Sequence, residues 1–159
     1  MSRPTLAVID LKALRANFAL AQSLTPGAST IPMVKANAYG HGMIEVSRAL
    51  SESAPAFGVA SIDEALVLRE AGIKQPILLL EGTFSCDEVG VAADNNFILM
   101  VENSVQKDAI LNASISRPVS VWLGIDTGMN RLGFEPHEAT QAYLALSNTD
   151  NVAKPIVAA

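Results

Sequence analysis

Cysteine is almost missing from this sequence: Cys86 stands alone among 159 residues, which excludes an internal disulfide framework. Charge is sparse too, at 17% of residues, while 50% are hydrophobic, and that balance excludes a disordered chain. An excess of positive charge is also lacking. The net charge of −5 and the pI near 4.9 argue against nucleic-acid partners and against an anionic membrane surface. No apolar run reaches the roughly 20 residues that a membrane span requires. No signal-like apolar block follows Met1-Ser-Arg-Pro-Thr5, so the expected location is cytoplasmic. His41 and His137 lie far apart with no Cys or acidic cluster beside either, and no metal site is expected. A G-x-G-x-x-G after the first strand is missing, which counts against a dinucleotide-binding sheet.

What is present is an alternation of strand-like and helix-like segments. Leu6–Asp10 and Thr30–Val34 read as strands, as do Phe57–Ala60, Pro76–Leu80, Phe97–Val101 and Val119–Ile125. Helices are predicted over Leu11–Leu24 with Asp10 as N-cap, and from Met43 to about Ser51. A further helix opens at Ser61, three residues before Glu64 in capping-box spacing, and ends at Gly72. Others are expected around Cys86–Asn95, over Ser104–Asn112 behind Asn103, and over Pro136–Ser147. Such alternation implies an α/β fold with a parallel sheet, either open or closed into a barrel. A barrel of eight units takes roughly 250 residues, so residues 1–159 are expected to form one partial (β/α)8 barrel domain. A mean hydropathy of +0.30 and an uncapped strand-like end, Lys154–Ala159, fit a chain that stops within its architecture. Leu78–Leu80 are then expected to need neighbouring strands for burial. Cys86 reads as a buried small hydrophobe, and Trp122 and Met129 as core or wall residues.

Lys35 carries the first chemical signal. It follows an apolar strand directly, and in a barrel the C-terminal strand ends form the catalytic face. An amine flanked by Val34 and Ala36 is suited to Schiff-base chemistry with a carbonyl. On its own, a strand-end lysine is more often an ordinary solvated one. Asn37, Tyr39, Gly40, His41 and Gly42 add a phenol, an imidazole and two glycines, a set able to approach an anion or simply to make a tight turn.

The ten-residue run Met33-Val-Lys-Ala-Asn-Ala-Tyr-Gly-His-Gly42 closely resembles the cofactor-lysine signature of alanine racemases. Val8–Phe18, Gly58–Leu66 with Leu68–Gly72, and Asp126-Thr-Gly-Met-Asn-Arg-Leu-Gly133 resemble that family in the same order. The resemblance implies that Lys35 holds pyridoxal 5′-phosphate (PLP), that Tyr39 contacts the cofactor phosphate, and that Arg131 holds the substrate carboxylate. It further implies the N-terminal part of a barrel, alanine as substrate, and D-alanine made for peptidoglycan. The full-length protein would be a homodimer in which a tyrosine from the partner's C-terminal β-domain serves as the second base. Tyr39 and Tyr143 are the only tyrosines here, neither matches that one, and the chain alone is expected to be weakly active at most. The family commonly has a lysine, often carbamylated, two residues before the Asp-Thr-Gly-Met motif, where this sequence has Gly124. A bound chloride or another carboxylate would have to replace that anion. Two other readings remain open at this point: a non-catalytic PLP-binding barrel, and a related PLP-dependent amino-acid decarboxylase or lyase.

Overall fold

The computed structural model describes residues 4–153 and 155–159. Five parallel strands form one sheet in sequential order: β1 (Phe57–Val59), β2 (Ile77–Leu79), β3 (Phe97–Val101), β4 (Ser120–Gly124) and β5 (Ile156–Ala158). The registers Gly58↔Leu78, Leu78↔Ile98, Leu99↔Val121 and Leu123↔Val157 run straight across it. Each parallel pair needs a crossover, and helices supply them. The helices are α1 (Leu11–Ser23), α3 (Met43–Leu50), α4 (Ile62–Glu70), α5 (Asp87–Asp94), α6 (Ser104–Leu111) and α7 (Pro136–Ser147), with a short turn α2 (Lys35–Tyr39). This is the α/β barrel pattern expected from the alternation.

Local chemistry explains most boundaries. The Asp10 carboxylate accepts from the N–H groups of Lys12 and Ala13 at 2.8 and 3.0 Å, so α1 begins where its cap predicts. Asn103 caps α6 by accepting from the Gln106 N–H at 3.0 Å. Pro136 opens α7 at a position where its missing N–H costs nothing. The core gathers Phe57, Val59, Ile77, Leu79, Phe97, Leu99, Val121 and Leu123 from the strands with Val46, Leu68, Ile110 and Leu146 from the helices.

Two expected strands do not form. Leu6–Asp10 stays irregular, with Leu6 81% and Val8 79% exposed and no ladder beside them. Thr30–Val34 is reduced to one parallel bridge, Met33↔Gly58. Its flanking bonds are Gly58 N–H to Pro32 O at 3.0 Å and Val34 N–H to Gly58 O at 2.8 Å. Pro32 has no N–H to extend the ladder, so a single bridge is what remains.

Burial also departs from expectation at particular residues. Of the Leu78–Leu80 surface, Leu78 and Leu79 are buried within the chain itself, between β1 and β3, and Leu80 is half-buried. Among the strand residues, the exposed large apolar side chains are Ile156 and Val157 on β5. Cys86 is exposed because it precedes α5 on the outer side, and Met129 is 74% exposed on the loop after β4. The expected strand start at Lys154 lies outside the described residues.

Candidate active site

Parallel strands place all their C-terminal ends at one edge of the sheet, and the sequence-predicted site residues gather there. Lys35 follows the Met33 bridge and is half-buried, directly after the fully buried Val34. The chain then does something composition did not announce. Ala36, Asn37, Ala38 and Tyr39 all adopt left-handed helical geometry, with φ of 50°, 55°, 52° and 53°. Each such residue costs an L-amino acid roughly 1–2 kcal/mol, so four in a row require strong local ties. The Ala38 N–H donates to Val34 O at 2.8 Å and the Gly42 N–H to Asn37 O at 3.0 Å. The Asn37 side chain accepts from the Met43 N–H at 2.8 Å, and His41 Nδ1 meets Ala38 O at 2.9 Å. His41 is thereby a turn residue. Gly40 and Gly42, at φ of 88° and 90°, return the chain to α3. Tyr39 ends the left-handed run with its side chain exposed, four residues on from the amine.

A carboxylate from a different element joins the turn. Glu64, in the first turn of α4, accepts from the Ala36 N–H at 2.7 Å with one oxygen and from the Ala60 N–H at 2.8 Å with the other. The capping-box spacing is therefore used in part only. Ser61 makes no side-chain cap bond, and the Glu64 carboxylate reaches back past it.

Arg131 sits on the loop after β4. The Asp126 carboxylate folds that loop by accepting from the N–H groups of Gly128 and Asn130 at 2.9 and 3.0 Å. Those donors, Asn130 foremost, hold the Asp126 carboxyl below its ordinary range. Asp126 is thus a structural acid. The loop closes where Ile125 bridges Phe134, and a side chain at Gly133 would come 2.6 Å from the Asp126 nitrogen. The Arg131 guanidinium is exposed.

Gly124, the position where the resemblance called for a lysine, is covered from the neighbouring strand. A Cβ built there would lie 3.1 Å from Glu102 Cγ and 3.7 Å from Glu102 Oε1. Glu102, just past the end of β3, lines a cleft of about 370 Å³ with Glu81, Gln106 and Leu132. Burial pushes its carboxyl above the usual range, the Arg131 charge pulls it back, and Glu81 pushes it up again. Sequence reasoning missed Glu102 because nothing in the chain order marks it as standing over Gly124. The parallel pairing of β3 with β4, Val101 opposite Leu123, is what brings the two together.

Lys35, Tyr39 and Arg131 therefore share one edge, but the structure does not bring them into contact. The Met33 segment and β4 are separated by β1, β2 and β3, about 19 Å along the sheet at the usual strand spacing. Curvature of the sheet is what would turn these residues toward a common centre. Among the described residues, no group of three or more His, Cys, Asp or Glu side chains is arranged to hold a metal ion. No helix among them is long and apolar enough to cross a membrane.

Comparison with known proteins gives this arrangement its context. Residues 9–157 match the family described as alanine racemase, N-terminal domain. The chain is 46% identical over 155 residues to the catabolic alanine racemase of Pseudomonas aeruginosa, covering 98% of this chain and 43% of that protein. An alanine racemase of Pseudomonas syringae is 44% identical, with the same coverage of each. The crystal structure of biosynthetic alanine racemase from Pseudomonas aeruginosa superposes with a TM-score of 0.93 at 38% identity, over 98% of this chain and 44% of that one. The chain thus spans less than half the length of the relatives it matches. Over that span, sequence and fold agree that it belongs to the alanine racemase family and corresponds to the N-terminal part of its barrel.

Proposed function

We propose that this chain carries the cofactor-holding and carboxylate-holding parts of a PLP-dependent isomerase that interconverts L- and D-alanine. The observation that carries this reading is the run Met33–Gly42, folded so that Lys35 stands half-buried at the C-terminal sheet edge, where Arg131 also emerges. The residues suit the cofactor chemically. Lys35 offers a primary amine for an aldehyde carbon, the Tyr39 hydroxyl offers a donor for a phosphate oxygen, and Gly40 has open space around it. Bound PLP would supply an electron sink that acidifies the Cα–H of an amino acid.

The chain's own residues supply part of what remains. The Lys35 amine holds or accepts a proton on one face of the substrate Cα. The Arg131 guanidinium presents a planar pair of N–H donors to a carboxylate. Glu102, which stands over Gly124 and feels the Arg131 charge, is our candidate for the local anion that steadies this arginine. Racemisation needs proton transfer on the opposite face as well. We infer that a group outside this chain provides it, within a homodimer of the whole protein. The chain alone then turns over far below the ~10 s⁻¹ typical of enzymes. A cytoplasmic location and a D-alanine supply for peptidoglycan belong to the same reading.

The test is capture of the cofactor. The chain is incubated with PLP, reduced with borohydride, and the modified lysine located by peptide mass. Lys35 is expected to be modified at the lowest PLP concentrations, with the saturable component lost in Lys35→Ala. Equal modification of Lys12, Lys74 and Lys107 would sink the reading. Product analysis with labelled L-alanine on the whole protein separates racemisation from decarboxylation or elimination.

A further inference from the structure

The left-handed run after Lys35 is conformationally unfavourable at each of four non-glycine residues, Ala36 to Tyr39. Among the described residues, its hydrogen bonds lie within residues 34–43 with one exception. The exception is Glu64, whose carboxylate spans the N–H of Ala36 at 2.7 Å and the N–H of Ala60 at 2.8 Å.

The position of those two donors matters. Ala36 is the first left-handed residue, and its N–H belongs to the peptide plane that joins it to Lys35. Fixing that N–H fixes the plane and, with Val34 O accepting from the Ala38 N–H at 2.8 Å, fixes the backbone on both sides of the Lys35 Cα. Ala60 directly follows β1, the strand against which Met33 bridges. One carboxylate therefore ties the exit of the Met33 segment to the exit of β1 at the edge where Lys35 emerges.

We propose that Glu64 is a positioning residue for Lys35, acting as a two-oxygen staple that holds the left-handed turn and so aims the amine. The chemistry is demanding. Both partners are N–H donors, so both oxygens must accept. A glutamine keeps the shape but offers one acceptor, and its NH2 would face a donor. An aspartate keeps the charge near the α4 N-terminus but is one methylene too short to span both donors.

The proposal rests on Lys35 as the cofactor lysine, and its test separates the two ideas. The 159-residue chain is compared with Glu64→Gln, Glu64→Asp and, as a control at the same helix end, Ser61→Ala. Amide hydrogen exchange is read at Ala36, Ala60 and the core amides Leu79, Leu99 and Leu123 without cofactor. PLP capture at Lys35 is then measured by borohydride reduction and peptide mass. Both Glu64 variants are expected to exchange Ala36 and Ala60 roughly tenfold faster and to need roughly tenfold more PLP for half-modification of Lys35, with core amides unchanged. Ser61→Ala is expected to match the parent in both. Unchanged exchange overturns the staple, and faster exchange with unchanged capture overturns the positioning role while leaving Lys35 as cofactor lysine. Loss of core protection in both variants makes Glu64 a folding residue and overturns the role as well. A parent chain never modified at Lys35 overturns the functional reading and takes this proposal with it.

Discussion

The two edges of the sheet solve opposite problems. Helices end near the N-terminal edge, where carbonyls are left without partners, and begin near the C-terminal edge, where N–H groups are left. At the N-terminal edge the side chains are donors. Arg69 gives to the carbonyls of Asn95, Ile73 and Gln75 at 2.9, 2.6 and 2.8 Å, Gln75 gives to Ser51, and Asn151 gives to Ile110 and Ala113. At the C-terminal edge acceptors predominate: Asn37, Glu64, Glu88, Gln106 and Asp126 each receive a backbone N–H, while Gln106 also donates to the carbonyls of Glu81 and Thr83. The consequence is chemical. Basic groups at the first edge are consumed by the fold, whereas at the second edge acids and amides do the structural work. Among the described residues, neither the Lys35 amine nor the Arg131 guanidinium makes a hydrogen bond or an ion pair at this edge.

The two arginines give the sharpest way to break this comparison. Arg69 also packs over the Phe97 ring, 5.2 Å from its centroid. Arg69→Ala is expected to destabilise the chain by about 3 kcal/mol, through several unmatched carbonyls and a lost cation–π contact. Arg131→Ala is expected to stay within about 0.5 kcal/mol of the parent, as for an exposed loop residue. Urea unfolding of both decides. Equal losses would mean that the C-terminal edge depends on its arginine for folding and that the asymmetry is false.

A smaller effect is expected inside the C-terminal edge. Gly124→Val places atoms where Glu102 Cγ and Met100 Sδ already lie, 3.1 and 3.6 Å from the first added carbon. Overpacking of this kind costs about 1–3 kcal/mol. Truncating the neighbour should recover part of it, so the double variant Gly124→Val, Glu102→Ala should unfold at higher urea than the sum of the single changes allows. Strict additivity would show that Glu102 does not occupy the space over Gly124.

How much of this was legible beforehand follows the same division. Elements set by local chemistry were readable: α1 behind Asp10, α6 behind Asn103, α7 from Pro136, and the apolar strands at Phe57, Ile77, Phe97 and Ser120. Lys35, Tyr39 and Arg131 were marked as candidates by motifs, and the structure puts them at one edge. Features decided by pairing between distant segments were not readable. Leu6–Asp10 has strand composition but no neighbouring ladder, and Pro32 leaves the next segment a single bridge. The left-handed run Ala36–Tyr39 contains no glycine to announce it, and its outside tie, Glu64, is 28 residues away from Ala36. Glu64 was visible as a capping-box residue. Its second partner was not, because that contact exists only once β1 and the Met33 segment lie side by side.

The smallest expected effect concerns the charge that folds the Arg131 loop. Asp126 Oδ1 accepts both N–H groups, from Gly128 and Asn130. Asp126→Asn retains a carbonyl oxygen that can do the same, so the loop is expected to persist and only the charge is lost. The carboxyl is held below its ordinary value of 3.8 in the folded chain. A depressed carboxyl contributes stability that is present above the unfolded value and lost as pH falls through the folded one. The urea midpoint of the parent should therefore exceed that of Asp126→Asn at neutral pH, and the gap should close on acidification below about pH 4. Because the group lies at the surface, the gap is expected to be small and to shrink further in high salt. A gap that stays constant from neutral pH into acid would show that the loop is held by the shape of the side chain and not by its charge. The C-terminal edge would then owe its order to hydrogen-bond geometry alone.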